Sequence, residues 1–190
     1  MRTPKGESVS QEGVPDGFVP QTGYEAQIAP DGETRLLVSV PVERLPEVHL
    51  ALLGALRPPI AFLYRQKVDR LKPNPDDRTG RDYVALEKTA ATVRDAMNAA
   101  GTLLWHDARC ELWLRDFDGA QVILDQDGVL YAYPDDPSFR DVLEGLGLSE
   151  GKPQTMVDRD YVKHWYHAEN DAVEAALIQR LGLTEMRPQR

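Results

Sequence analysis

His164 and His167 have a spacing that, on a helix, turns both imidazoles toward one metal ion, with Asp160 and Asp171 at i−4 and i+4 as further oxygen ligands. No HExxH and no CxxC supports such a site. Paired surface histidines bonded to neighbouring carboxylates are therefore expected, with no metal and no other cofactor. Cys110 and His106 would form a nucleophile and its base only if both faced one way. Strand alternation puts them on opposite faces, which predicts a buried, inert thiol. His106 with Glu111 is a remaining acid–base pair. A small hydrolase using His106 and Glu111, or a metal on His164 and His167, is thus the alternative functional reading.

Other motifs are easier to dismiss. The DFDG and DQDG segments look like carboxylate-rich cation loops, but neither supplies the Asp-x-Asp-x-Asp-Gly run and closing Glu of an EF-hand. They read as turns. No GxGxxG, GxxxxGK[ST] or GxSxG occurs, which removes the best evidence for dinucleotide, P-loop and serine-hydrolase chemistry. The basic run Arg57, Arg65, Lys67, Arg70 and Lys72 straddles a strand and the loop behind it, and reads as a solvated strand end.

The elements that must position these residues centre on 102–133, TLLWHDARCELWLRDFDGAQVILDQDGVLYAY, which reads as a four-strand antiparallel meander. If Asp118-Gly119 and Asp127-Gly128 each form a two-residue type I′ turn, Leu114 faces Ile123, Trp113 faces Leu124, Leu124 faces Tyr131 and Val122 faces Tyr133. One face then carries Leu103, Trp105, Cys110, Leu112, Leu114, Ile123, Leu130 and Ala132, and is the core. The other carries Leu104, His106, Glu111, Trp113, Arg115, Val122, Leu124, Tyr131 and Tyr133. This mixed face is either covered by the last helix, with Trp165 and Tyr166 on top, or is a recognition platform. The first is the simpler expectation.

Around the meander, residues 1–22 lack periodicity and read as a flexible tail, and 23–190 as a single domain. Strands are expected at Tyr24–Ile28, Arg35–Val42 and Ile60–Val68, and a helix over Leu45–Leu56 that Pro58-Pro59 stops. A helix is expected from an Asp82 N-cap through Leu86, Ala90, Val93 and Met97 to Gly101. Another should follow Asp136-Pro137, and a C-terminal helical region should cover 159–182. The fold class is α+β, with a mostly antiparallel sheet and helices mainly on one face.

Composition bounds the function. No apolar run approaches a membrane span, the N-terminus has no apolar secretion segment, and the single cysteine agrees with a reducing compartment, so a cytoplasmic protein is expected. The net charge of −9 is unevenly spread: Glu111–Glu150 holds ten acidic residues against Arg115 and Arg140. Phosphate backbones would be repelled, so nucleic acid is not expected as a partner and a basic protein is. The reading is a non-catalytic protein–protein interaction module, of an inhibitor or immunity type. Its expected binding residues are His106, Glu111, Trp113, Arg115, Tyr131 and Tyr133, with Asp135 and Asp136 steering the partner.

Overall fold

The computed structural model describes residues 4–72, 80–164 and 167–186. In chain order these form β1 (Gly6–Ser8), β2 (Gly23–Ile28), β3 (Thr34–Ser39), α1 (Leu45–Ala55), β4 (Ile60–Gln66), β5 (Asp82–Lys88), α2 (Ala90–Ala99) and α3 (Gly101–His106). There follow β6 (Cys110–Asp116), β7 (Gln121–Leu124), β8 (Leu130–Tyr133), α4 (Pro137–Gly145), β9 (Tyr161–Lys163), α5 (Asn170–Leu181) and β10 (Thr184–Glu185). Eight strands make one antiparallel sheet in the order β10-β5-β4-β6-β7-β8-β3-β2, and β1 pairs with β9 in a separate ribbon. The fold is α+β. Among the described residues no helix is long and apolar enough to cross a membrane.

Period-two alternation decides which side of the sheet is packed. In β4 and β6 every second residue is buried, which turns Phe62, Tyr64, Leu112 and Leu114 to one side. There they join Leu36, Val38, Val122, Leu124, Leu130 and Ala132, and all five helices close over them through residues such as Leu52, Met97, Leu104, Phe139 and Leu177. Each of these large side chains contributes about 1.5–3 kcal/mol by leaving water. Helix ends are marked by local chemistry. Asp136 accepts from Ser138 N at 2.8 Å ahead of Pro137 in α4, and Gly182 takes the left-handed conformation that ends α5.

Four expectations are corrected. First, the meander has three strands: residues 101–106 are the short helix α3. Gly101 is not a stop but a close contact, since a Cβ there would lie 2.6 Å from the Trp105 ring. Second, α2 starts at Ala90, where Thr89 Oγ1 accepts from Thr92 N at 3.1 Å, and Asp82–Lys88 is a strand. The helical spacing of Leu86, Ala90, Val93 and Met97 runs across a strand–helix junction.

Third, both Asp-Gly turns are one residue longer than the two-residue form. Asp116 N donates to Ala120 O at 2.9 Å while Asp116 Oδ1 accepts from Asp118 N (3.0 Å) and Ala120 N (2.9 Å). Asp125 repeats this with Val129 O (3.0 Å), Asp127 N (2.8 Å) and Val129 N (2.9 Å). Gly119 and Gly128, at φ of 105° and 82°, supply the positive dihedral of such three-residue loops. The register moves by one at each turn: Trp113 faces Ile123, Ile123 faces Tyr131, and Val122 faces Ala132. Val122 and Leu124 therefore point into the core and Ile123 away from it. Two successive slips cancel, so Tyr131 stays on the side of Trp113.

Fourth, among the described residues of the region 159–182 only α5 is helical; β9 occupies Tyr161–Lys163. Its partner β1 lies in the segment read as a tail. Lys5, 2% exposed, donates to the carbonyls of Cys110 (2.9 Å) and Asp125 (3.0 Å). Helix α5 packs against α2 and α3, on the helical side of the sheet, and does not cover Trp113. Trp165 and Tyr166 lie outside the described residues.

Two measurements check this account. The register between β4 and β5 slips between Ile60 and Phe62, and within that bulge exposed Glu87 is held at φ 56°. A non-glycine residue is strained there. Glu87→Gly is expected to leave stability unchanged or raise it by up to about 1 kcal/mol in urea unfolding, where Gly at an ordinary strand position would lower it. His49, wholly buried, accepts at Nδ1 from Trp105 Nε1 (3.3 Å), and burial followed by the Lys5 charge brings its pKa down to about 3. An unfolded histidine titrates near about 6.5, so the unfolded chain takes up the proton first. The stability due to neutral His49 is complete above that pH and is lost as pH falls toward 3. The destabilisation caused by His49→Gln should accordingly shrink by on the order of 3 kcal/mol between about pH 6.5 and 4. A pH-independent difference would show that His49 is not held neutral.

Candidate binding face

On the side away from the helices, the register assembles one continuous row. Val84, Leu63, Trp113, Ile123, Tyr131 and Leu37 are successive cross-strand neighbours on β5, β4, β6, β7, β8 and β3. At about 4.8 Å per strand the row runs roughly 24 Å across the sheet. Ile123 and Leu37 are 7% exposed, and Trp113 and Tyr131 are half-buried. Ile123, Ala29 and Tyr133 form with Trp113 and Tyr131 a second apolar cluster that contains no helix residue. Among the described residues, cross-strand neighbours and Ala29 make up this cluster.

Charged and polar groups border the row on both sides. Toward the start of β6, Arg65 binds Asp82 through Nε and Nη2 (2.9 and 3.0 Å), and Lys67 meets Glu111 at 3.2 Å. The Arg65 guanidinium also lies 4.9 Å from the centre of the Trp113 ring, whose Nε1 donates to Glu111 Oε2 at 3.4 Å. Toward the end of β6, Arg115, Gln121 and Tyr133 stand side by side. Arg35 donates to the Tyr133 hydroxyl at 2.8 Å and stacks on Tyr131 with 4.3 Å to its centre. Such cation–π contacts hold both aromatic rings at fixed tilt. Burial, then the Asp125 charge, pushes the Tyr131 phenol pKa up, so it stays a neutral hydroxyl.

Of the residues expected to bind, Glu111, Trp113, Arg115, Tyr131 and Tyr133 share this face. His106 ends α3 and is not placed on it by register. Asp135 is held by Arg140 in a two-point ion pair (2.6 and 2.8 Å) and Asp136 caps α4. Arg140 for Asp135, and Ser138 for Asp136, lower both carboxyl pKa values. The sequence reading missed Arg35, Leu37, Leu63, Arg65, Val84 and Ile123. Burial alternates along IAFLYRQ, which contains Leu63 and Arg65, but not along TRLLVS, and only the strand order puts these residues beside Trp113.

His164 and His167 both precede α5, which starts at Asn170; their ring centres are 6.4 Å apart, with Glu7 and Glu169 each 3.7 Å from one ring. Among the described residues no group of three or more His, Cys, Asp or Glu side chains is placed to hold a metal ion. Burial pushes the Cys110 thiol up to about 11. A cavity of about 260 Å³ lies between the N-terminal segment and the body, lined by Phe18, Val19, Leu45, Trp105 and Met156; its charged lining is Lys5, Glu43 and Asp127. Lys5 is spent on carbonyls and Asp127 on Lys163 and the Tyr161 hydroxyl.

The densest charge is at Arg109, which is 0% exposed. It binds Asp107 (2.9 Å), Asp171 (2.7 Å) and His167 O (2.7 Å), with Glu174 at 3.5 Å. Glu174 also accepts from the Tyr64 hydroxyl and from Gln66 Nε2 at 3.1 Å, and Arg70 grips Asp171 (2.9 and 2.6 Å). Arg70, then Arg109, hold the Asp171 carboxyl down to about 2. Every carboxylate here has a cation, so none is poised as a general base. Arg109→Ala is expected to cost about 3–5 kcal/mol in chemical denaturation, because Asp107 would remain buried without its counter-charge. A loss under about 1 kcal/mol would show that water replaces the guanidinium.

Comparison of the chain with protein-family models, with curated proteins and with solved structures gave no match.

Proposed function

We propose that the chain is a non-catalytic protein–protein interaction module that binds through the open face of its eight-stranded sheet. The observation that carries this is the row from Val84 to Leu37, apolar and aromatic across six strands, on a face without a described helix. Trp113, Ile123 and Tyr131 form its centre; Arg35, Arg65, Glu111 and Arg115 form a polar border. Rigid aromatics inside a polar rim are what dominates protein interfaces energetically, since they lose little side-chain entropy on docking. An inhibitor or immunity-type role is one form of this reading, in which the bound partner is the one silenced. Asp135 and Asp136 are left out of the mechanism, because Arg140 and α4 already engage them.

The test is affinity capture from the source organism followed by binding kinetics. Trp113→Ala and Tyr131→Ala should each speed dissociation of the captured partner by about thirty-fold, equivalent to about 2 kcal/mol, while association changes little. Their melting temperatures should fall less than that of Leu112→Ala, which opens a hole in the closed core at a cost of about 2–5 kcal/mol. Unchanged kinetics with a stability loss matching Leu112→Ala would overturn the reading.

A further inference from the structure

We infer that the segment docking on this face is acidic: an extended stretch of a partner protein whose carboxylates, about four residues apart, reach Arg35 and Arg115 while its apolar side chains lie along the Trp113–Tyr131 row. The inference rests on the face being the binding surface. It departs from the basic partner expected from the ten acidic residues of Glu111–Glu150, because most of those carboxylates are engaged within the chain. Asp116 and Asp125 close turns, Asp127 pairs with Lys163, Asp118 with Arg57, Asp135 and Glu150 with Arg140, and Glu144 accepts from Tyr24.

Among the described residues of the face, the charges without an ion-pair partner are net positive, Arg35 and Arg115 against Glu25. Arg65 and Lys67 are neutralised by Asp82 and Glu111. Arg115 is exposed and Arg35 bonds only to neutral Tyr133 and Gln27; among the described residues neither has a carboxylate at ion-pair distance. Glu25, on edge strand β2 beyond Leu37, is a carboxylate held by Gln27 alone. Arg115 and Arg35 stand on β6 and β3, three strand spacings or about 14 Å apart, beside Gln121 and Tyr133. An extended chain covers that span in about four residues, and period-two alternation brings i and i+4 to the same side. Guanidinium prefers carboxylate through paired N–H bonds, and such bonds strengthen where aromatic neighbours exclude water. Phosphates would satisfy the same guanidiniums, but a net charge of −9 opposes a polyanion more than a short acidic segment.

The experiment selects a displayed random peptide library on the full chain and measures the enriched peptides by fluorescence anisotropy against the parent, Trp113→Ala and Arg115→Ala. Arg115 is exposed, so its removal leaves the fold intact. Acidic, apolar peptides that lose binding with Trp113→Ala and weaken about ten-fold with Arg115→Ala are expected, with the loss growing in low salt. Peptides that depend on Trp113 but are neutral or basic, or ignore Arg115→Ala, would overturn the acidic segment and leave the face as a binding surface. Absence of any Trp113-dependent peptide would overturn both. A labelled oligothymidine that binds more tightly than the selected peptides, and competes with them, would replace the acidic segment by nucleic acid.

Discussion

Arg109 is the point on which the arrangement of layers depends. Its backbone carbonyl accepts from Lys67 and Val68, fixing the end of β4, while its side chain fastens the turn into β6 to the first turn of α5. A buried guanidinium is costly to desolvate, and burial alone would lower its pKa. The bonds to Asp107 and Asp171 overrule that and raise it, so the charge persists inside. Through Asp171 the same cluster holds Arg70, and through Glu174 it reaches Tyr64 in the middle of β4. This places α5 on the inner side of the sheet, and among the described residues no helix lies on the outer cluster of Ile123, Tyr133, Trp113 and Tyr131.

That choice of side separates two kinds of apolar surface made by the same strands. Inward residues of β6 and β7 are sealed by helices and behave as core. Among the described residues, the outward ones one position away cluster with Ala29, Tyr131 and Tyr133, and arginine side chains lie across their rings. Arg35 and Arg65 shield the aromatic row from water without filling the space above it, as long amphipathic side chains do on exposed sheets. A surface protected in this way keeps its rings ordered.

Much of this was legible in the chain. Alternation in β4 and β6, the Asp136-Pro137 helix start and the hairpin around Asp31-Gly32 give the fold class and half of the face, including Trp113 and Tyr131 together. The misreadings have local causes. An Asp two residues before Asp-Gly offers its carboxylate to the turn amides and lengthens the loop by one residue, which inverted β7 and hid Ile123. Helical spacing across Leu86 and Ala90 is accidental, because the Thr89 cap lies between them. Pairing of β3 with β8, and of β4 with both β5 and β6, is non-local. No short pattern encodes it, and so Arg35 could not be set beside Tyr133 from the sequence.

The strand order also governs how the chain reaches this state. Only β6, β7 and β8 pair with immediate successors through short loops at the centre of the sheet. The β2–β3 hairpin is likewise local, but β3 is completed only by β8, and β5 gains its outer neighbour only when β10 arrives near the other end of the chain. Contacts of such long sequence separation close late and slowly, since the loop entropy is lost before they form. The three-strand unit around Trp113 is thus the natural nucleus. Helices α1 and α3 meet β7 and β6 directly, and α5, held through Arg109, packs on α3 along that same side, so it is the helices together that make the two sides of the sheet different.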